Sequence, residues 1–182
     1  MRKSKVNIQT IAILEKGITV SQLRSKVEVM QDTFIHKKLV YEMCHKMADY
    51  FLSQGEDEKA VEILRRGWEH DNSKFTPEEM EELTKINDQH ASMRHAGAEL
   101  PEEMKSCLSL HYENNTHHPE HWKDVSLMPE MDVVEMCCDW AARSEQFNTD
   151  LIVFAKTRQE TRFHFPEERF KRILHYCEIL LA

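Results

Sequence analysis

The sequence predicts an all-α protein, with about seven helices in a single domain that spans residues 1–182. Only 4 glycines and 5 prolines occur in the 182 residues, so few positions are able to interrupt a helix. Apolar residues recur at intervals of three and four along most of the chain, which is the spacing of one buried helical face. The strict alternation of a half-buried strand is nearly absent, and the sequence therefore offers no sheet.

The first helix is predicted from about Ser21 to Gln54, with the glycine at position 55 as its end. Glycine adopts the left-handed backbone conformation that closes many helices, and Gly55 stands shortly after the last apolar residues of the pattern. The residues predicted to face the core are separated by three and four positions, and they are Val40, Met43, Met47 and Phe51.

The same spacing predicts a second helix from about Glu56 to Glu69. Its inner face is predicted to carry Ala60, Val61, Leu64, Gly67 and Trp68. The next helix begins at a recognisable start signal. Thr76 is predicted to cap it, Pro77 to be its first residue, and Glu79 to complete a capping box with the threonine.

Prolines mark most of the remaining helix boundaries. A helix predicted to begin at Pro101 has one face formed by Met104, Leu108 and His111. Pro119 and Pro129 bracket a predicted loop. Two helices follow, predicted from about Met131 to Glu145 and through Leu151–Phe154. The last helix is predicted to begin at Pro166 and to bury Ile173, Leu174, Cys177 and Leu180.

Composition and charge restrict the classes of function. Hydrophobic residues make up 41% of the chain and charged residues 31%, a balance typical of a folded globular protein. No run approaches the roughly 20 apolar residues that a transmembrane helix needs, so we expect no membrane association. A net charge of −8 argues against broad nucleic-acid binding, which requires a basic surface.

The five cysteines fit no spacing of a zinc finger, and their number is odd. The N-terminal apolar stretch is too short and too interrupted for a signal peptide. Together these features predict reduced thiols and a cytoplasmic location. The adjacent pair Cys137-Cys138 is predicted to pack inside a helix rather than to take part in redox chemistry.

The 11 histidines need an explanation, and the first of them lie in two motifs. His36 is on the buried stripe of the first helix, where it is either a hydrogen-bonded core histidine or a metal ligand. The segment His70-Asp71-Asn72-Ser73-Lys74 closes the second helix. Near a helix end the imidazole and the carboxylate are both able to turn to one ion, the carboxylate as an anionic bridge. Lys74 adds a positive charge suited to a phosphate oxygen.

The densest histidine cluster lies between positions 111 and 121, where four histidines occur within eleven residues. His111, Asn115 and His118 are spaced so that a continuing helix aligns them. Each buried imidazole needs polar partners, which favours metal ligation for His111 and for the pair His117-His118. His121 is explained equally well by a solvated polar turn.

An acidic counterpart follows in the helix that is predicted from Met131. Asp132, Glu135 and Asp139 share one face of that helix, a pattern that is by itself typical of a solvated surface. Asp139, however, lies in an otherwise apolar run over residues 137–142, and a carboxylate in such surroundings requires a cation. Asp139 is therefore predicted to be the last metal ligand.

The order of these motifs resembles the HD-domain superfamily of metal-dependent phosphohydrolases, in particular its longer, binuclear pattern. Within that superfamily the chain is similar to a bacterial and phage family of unknown activity marked by His-Asp-x-Ser-Lys and Asn-x-His-His-Pro-Glu-His-Trp. These motifs correspond here to residues 70–74 and 115–122. The resemblance covers about Phe34 to Trp140.

The resemblance implies a helical bundle with one or two divalent ions (Mn, Fe, Zn or Mg) at its centre. The ligands implied for the first ion are His36, His70, Asp71 and Asp139. Asp71 would bridge to a second ion, whose other ligands are implied to be His111 and either His117 or His118. A water bound between two such ions has a lowered pKa and is able to attack phosphorus.

The resemblance implies catalytic roles for Asp71 and Lys74. It also implies that the substrate is small, phosphorylated and nucleotide-like. Lys74 would neutralise the charge that develops on the phosphoryl oxygens. Glu69 and Glu135 are candidates for the acidic residue that some nucleotidases of the superfamily use to activate water. The chain lacks the glycine-rich segment that follows the double histidine in cyclic-dinucleotide phosphodiesterases, so that class of substrate is not implied.

Two other functions remain open. The same superfamily includes di-iron oxygenases with the same order of ligands, and imidazole and carboxylate suit iron and manganese as well as zinc. A non-enzymatic helical module with a structural metal is the other alternative. The acidic surface and the ten methionines are compatible with such a binding module.

Overall fold

The computed structural model describes residues 18–89 and 108–182, and it confirms the all-α class. Within these two ranges the chain forms seven α-helices, several short 3-10 and π turns, and no strand. The helix predicted from Pro101, with Met104, lies outside the described residues, as does Cys107. In chain order the helices are α1 (Val20–Ser53), α2 (Asp57–Glu69), α3 (Pro77–Gln89), α4 (Ser109–Asn114), α5 (Glu130–Phe147), α6 (Leu151–Arg158) and α7 (Glu167–Leu181).

Helix α1, with 34 residues, contacts α2, α3, α5 and α7. It begins at a capping box: the Gln22 amide donates to the Thr19 hydroxyl at 3.2 Å, and the Thr19 amide donates to the Gln22 side chain at 2.9 Å. Gly55 follows its end with a φ of +73°, which confirms the predicted stop. The predicted inner face is also confirmed, since it buries Val40, Met43, Met47 and Phe51.

Helix α2 packs against α1 through its smallest residue. A Cβ atom on Gly67 would lie 2.8 Å from the Cβ and Sγ atoms of Cys44, so only glycine permits this close approach. Ala60 is buried as predicted, but the prediction for Val61 and Trp68 is wrong, because both side chains are exposed. The contact at Gly67 fixes which face of α2 turns towards α1. Val61 and Trp68 each follow an inward-facing residue by one position, so their side chains point about 100° away from that face.

Helix α5 contacts α1, α2, α6 and α7, and it is buried on every side from Met131 to Ala142. The thiols of Cys137 and Cys138 are free and buried within it, in agreement with their predicted role in packing. Burial and contact with a neighbouring thiol raise the pKa of both cysteines. The same helix buries three carboxylates, which are expensive to bury without cationic or hydrogen-bonding partners; they are Asp132, Glu135 and Asp139.

The C-terminal part of the chain covers α5. Helix α7 begins directly after Pro166, as predicted, and it buries Ile173, Cys177 and Leu180. The loop between Pro119 and Pro129 contains two 3-10 turns, and Arg169 of α7 donates hydrogen bonds to the carbonyls of Ser126 and Met128 in it. Among the described helices, none combines the length and the apolar character needed to span a bilayer.

Candidate metal centre

Histidines and carboxylates from α1, the end of α2, α4, the following loop and α5 converge on one cluster. All seven residues predicted as metal ligands belong to it, together with Glu135. The cluster comprises four overlapping groups of three residues, and within each group the candidate ligand atoms lie within 4.8 Å of one another. We call this cluster the candidate centre: His36, His70, Asp71, His111, His117, His118, Glu135 and Asp139.

His36 and Asp139 face each other across the contact between α1 and α5. The Nε2 atom of His36 lies 2.8 Å from Oδ1 of Asp139, and both residues are buried. Burial, and next the positive charge of Arg143, lowers the pKa of His36 to about 4. Burial raises the pKa of Asp139, but its contact with His36 and the nearby His70 and His117 hold that pKa well below its usual range. A neutral imidazole and a carboxylate are the forms that ligate metals.

The turn after α2 directs two neighbouring side chains to the same place. Asp71 has a φ of +55°, a left-handed conformation that asparagine and aspartate adopt more readily than other residues with a side chain. Lys37 of α1 fixes this turn from behind. Its ammonium group donates to the carbonyl of Trp68 at 3.3 Å, to the side chain of Asn72 at 3.0 Å, and to the carbonyl of His70.

Glu135 orients two of the histidines. Its Oε1 atom lies 2.9 Å from Nδ1 of His70 and 3.3 Å from Nδ1 of His117, so each Nδ1 is placed to donate to the carboxylate. In the neutral form of each ring the Nε2 atom would then carry the lone pair, and both Nε2 atoms are buried without a hydrogen-bond partner among the described residues. A carboxylate behind the distal nitrogen is the usual support of a metal-ligating histidine.

Asp71 stands between the histidine nitrogens at a distance that suits ligands of a common ion. Its Oδ1 atom lies 3.5 Å from Nε2 of His111 and 3.6 Å from Nε2 of His117, and Oδ2 lies 3.5 Å from Nε2 of His70. Two ligands at metal–ligand distances of about 2.1 Å and a tetrahedral angle stand about 3.4 Å apart. Oδ1 is buried without a partner among the described residues, as a free ligand atom would be.

The charge of Asp71 is stabilised in place. Burial raises the pKa of its carboxyl group, but the nearby His70 and Lys74, followed by His111 and His117, hold that pKa well below its usual range. Lys74 is buried, and its Nζ atom lies 2.6 Å from Oδ2 of Asp71. The two residues with predicted catalytic roles are therefore in contact with each other, Asp71 as a member of the candidate centre and Lys74 beside it.

Glu79 orients His111 in the way that Glu135 orients His70. The amide of Glu79 donates to the Thr76 hydroxyl at 3.4 Å, as predicted for a helix cap. Its carboxylate, however, turns to Nδ1 of His111 at 2.5 Å. The predicted reciprocal capping role of this side chain is thus replaced by a contact with the candidate centre. Burial raises the pKa of Glu79, but its hydrogen bond with His111 lowers the pKa overall.

The structure brings both members of the double histidine into the centre. The Nε2 atom of His118 lies 2.8 Å from Nε2 of His111, and Nε2 of His117 faces Asp71. Burial and the neighbouring rings of His117 and His111 lower the pKa of His118 well below its usual range. The choice between His117 and His118 as ligand therefore stays open, because each offers a nitrogen to the cluster.

Two residues considered at the sequence level lie outside the centre. Glu69 is exposed and forms an ion pair with Arg65 on the surface of α2, so its candidacy as the water-activating acid is wrong. His121 contacts the backbone carbonyl of Tyr112 at 3.0 Å, which fits the interpretation as a turn residue.

Several supporting residues were not predicted, and Arg66 is the clearest example. Its guanidinium group donates to Asp132 at 2.8 Å and to Oε2 of Glu135 at 3.1 Å, and so supports two buried carboxylates of α5. The only sequence signal was the acidic face of that helix, and by itself such a face is typical of a solvated surface. Lys37 gave no signal beyond its position next to His36, because its role depends on where the end of α2 lies.

The fold and this site together define an all-helical protein with buried histidine, aspartate and glutamate side chains that are positioned to hold a metal ion. The chain belongs to the family of unknown function DUF5662, whose family model matches residues 25–177. The matched range contains every residue of the candidate centre. Comparisons with curated proteins and with solved structures give no match.

Proposed function

We propose that the protein is a metal-dependent phosphohydrolase that acts on a small phosphorylated, nucleotide-like substrate. One observation carries the proposal: Nε2 of His70, Nε2 of His117 and Oδ1 of Asp71 are buried without a partner among the described residues. Such atoms are costly to bury unless an ion or a water occupies the space between them. The resemblance of the motif order to the HD-domain superfamily supports the same function.

The proposed ligand sets share one residue. His36, His70 and Asp139 form one group and Asp71, His111 and His118 another, with Asp71 between them. Asp71 offers Oδ2 towards His70 and Oδ1 towards His111, so it would contribute to both ions. A bound divalent ion supplies a Lewis acid and lowers the pKa of a bound water. The candidate ions are Mn, Fe, Zn and Mg.

Lys74 is the proposed phosphate contact. Its ammonium group has three donors, and one of them is directed at Asp71. The remaining donors and the positive charge would hold a phosphoryl oxygen next to the ligands. Because the charge on these oxygens changes during phosphoryl transfer, a fixed cation stabilises the transition state there. Burial strengthens this interaction by excluding water.

Metal content and anaerobic activity test the proposal. Protein purified without added metal is expected to contain a divalent metal, measured by mass spectrometry of the elements. After chelation, Mn²⁺ is expected to restore phosphate release from nucleoside monophosphates or sugar phosphates under anaerobic conditions. Lys74→Met is expected to keep the metal and lose turnover, because its contact matters only with substrate bound. Absence of phosphate release across the panel would contradict the hydrolase.

A di-iron oxygenase is the second candidate, and the composition of the groups favours it. Each of the four groups combines two histidines with one carboxylate, the set that non-haem iron enzymes use to leave positions open for oxygen. Oxygen consumption that depends on Fe²⁺ and on an added substrate, with no anaerobic phosphate release, would favour this candidate. Bound metal without either activity would favour a binding module with a structural metal.

A further inference from the structure

A feature of the protein surface that the proposed function does not use lies beside Lys37. It is a groove of about 390 Å³ between α1, the end of α2 and the 3-10 turn at residues 72–75. Small-molecule sites begin at roughly this size. None of its lining residues belongs to the candidate centre. We call it the aromatic groove, and its lining includes Phe34, Lys37, Lys38, Tyr41, Trp68 and Phe75.

The aromatic rings form two pairs along the groove. The rings of Phe34 and Phe75 lie 5.0 Å apart, and those of Tyr41 and Trp68 lie 6.3 Å apart. Phe34 and Tyr41 are seven residues apart on one face of α1, which separates the two pairs by about 10 Å. Trp68 is 72% exposed and Phe34 57% exposed. A group of large aromatic side chains that are exposed next to one another is typical of a surface that binds a ligand or another protein.

The charge of the aromatic groove is opposite to that of the whole protein. Two lysines and no carboxylate line it, whereas the chain carries a net charge of −8. The contacts of Lys37 are with carbonyl and amide oxygens, which carry no formal charge. Lys38 is 3.0 Å from Glu42, but both side chains are largely exposed, and such a pair contributes little and separates readily. The groove therefore favours an anion.

We propose that the aromatic groove binds a planar aromatic ring that carries an anionic group, as in a nucleoside monophosphate. The ring stacks on Trp68 or on Phe34, as bases stack on aromatic side chains in other proteins. The anion lies towards Lys38, whose ammonium group is free to turn from Glu42. This site is separate from the candidate centre, and its occupation requires no metal.

Calorimetric titration of metal-free protein with AMP, GMP, CMP and UMP tests this inference. At least one is expected to bind with a dissociation constant below about 1 mM, the level of a single weak site. Trp68→Ala is expected to weaken that binding about tenfold, and Phe34→Ala or Lys38→Met severalfold. Val61→Ala is the matched control, since Val61 is exposed on the same helix outside the groove. It is expected to leave binding unchanged.

Three further arms separate the alternatives. The matching nucleoside is expected to bind more weakly than the monophosphate, and inorganic phosphate not to bind. His118→Gln is expected to leave binding unchanged, because His118 lies in the candidate centre and contacts His111 there, whereas the groove is lined by other residues. Loss of binding in His118→Gln with retention in Trp68→Ala would place the ligand at the centre, overturning the inference while leaving the hydrolase proposal intact.

Two other results would also overturn the inference. One is the absence of binding by all four monophosphates at 1 mM, the upper limit set above. The other is a wild-type dimer in sedimentation that Trp68→Ala converts to monomer, because a second copy of the chain would then occupy the aromatic groove. Equal binding of nucleoside and monophosphate would remove the anionic part of the recognition, and with it the proposal as stated.

Discussion

The two halves of the candidate centre are supported by different kinds of structure. One half is supported by α1, the end of α2 and α5, which pack against one another, and it comprises His36, His70 and Asp139. The other is supported by a left-handed turn, the six-residue helix α4 and a loop, and it comprises Asp71, His111 and His118. We call them the helical half and the loop half.

The two halves also differ in the carboxylates that orient their histidines, Glu135 and Glu79. Glu135 belongs to the part of α5 that is buried on every side, and Arg66 holds its second oxygen at 3.1 Å. Glu79 supports His111 from the first turn of α3. Ligands that are fixed before an ion arrives bind it with less loss of conformational freedom. We therefore expect the helical half to hold its ion more tightly than the loop half.

Substitution of the residue that joins the two halves is expected to have the largest effect. Asp71→Asn keeps a side chain that tolerates the left-handed turn but removes the negative charge offered to both ions. We expect purified protein to lose nearly all its metal, measured by mass spectrometry of the elements, with an unchanged helical circular dichroism spectrum. Asp57→Asn, an exposed position in α2, is the control. Equal metal content in both variants would contradict the centre.

The sequence predicts the candidate centre better than it predicts the support of that centre. Each predicted ligand combines an unusual residue type with apolar or histidine-rich surroundings, as Asp139 does within α5. A difference between a residue and its sequence neighbours is visible without a structure. Glu135 and Glu79 are different, because an acidic residue on a helix is most often solvated. Their roles arise only when tertiary packing brings them behind His70 and His111.

The orientation of a helix is likewise a tertiary property. The period of apolar residues correctly predicts that α1, α5 and α7 are helices, and all four residues predicted to face the core from α1 are buried. In α2 the period allows Val61 and Trp68 to face inward, yet the contact of Gly67 with Cys44 turns both outward. Glycine has no apolar side chain, so Gly67 does not count in the pattern of apolar residues. The contact that decides the rotation of α2 is therefore invisible to that pattern.

One substitution in each half tests whether the two halves differ. Asp139→Asn removes the carboxylate of the helical half, and His118→Gln removes an imidazole of the loop half. We expect Asp139→Asn to lose the more tightly bound ion, and His118→Gln to retain it while binding a second ion weakly or not at all. Metal stoichiometry after dialysis against a mild chelator measures both. Retention of more metal by Asp139→Asn than by His118→Gln would reverse the comparison.

The supporting carboxylates provide a finer test. Glu135→Gln weakens the hold on the Nδ1 atoms of two histidines, His70 and His117, whereas Glu79→Gln weakens the hold on the Nδ1 atom of one histidine, His111. Loss of such a support typically lowers metal affinity about 10- to 100-fold. We expect Glu135→Gln to approach the upper end and Glu79→Gln the lower end, in competition titrations with a fluorescent zinc chelator. A larger effect for Glu79→Gln would show that the loop half dominates binding.

The smallest expected effect comes from two adjacent lysines of α1. Lys37 donates to the carbonyls at the end of α2 and to Asn72, which fixes the turn carrying His70 and Asp71. Lys38 forms an ion pair with Glu42, and both of these side chains are largely exposed.

We expect Lys37→Met to lower the free energy of unfolding of metal-free protein by about 1–2 kcal/mol, because the carbonyls of Trp68 and His70 and the side chain of Asn72 lose a charged hydrogen-bond donor. For Lys38→Met we expect a change of less than about 0.5 kcal/mol. Urea denaturation followed by circular dichroism measures both. Because the turn supplies a ligand to each half, Lys37→Met should also weaken binding of both ions severalfold, and selective loss from one half would show that Lys37 positions only His70 or only Asp71.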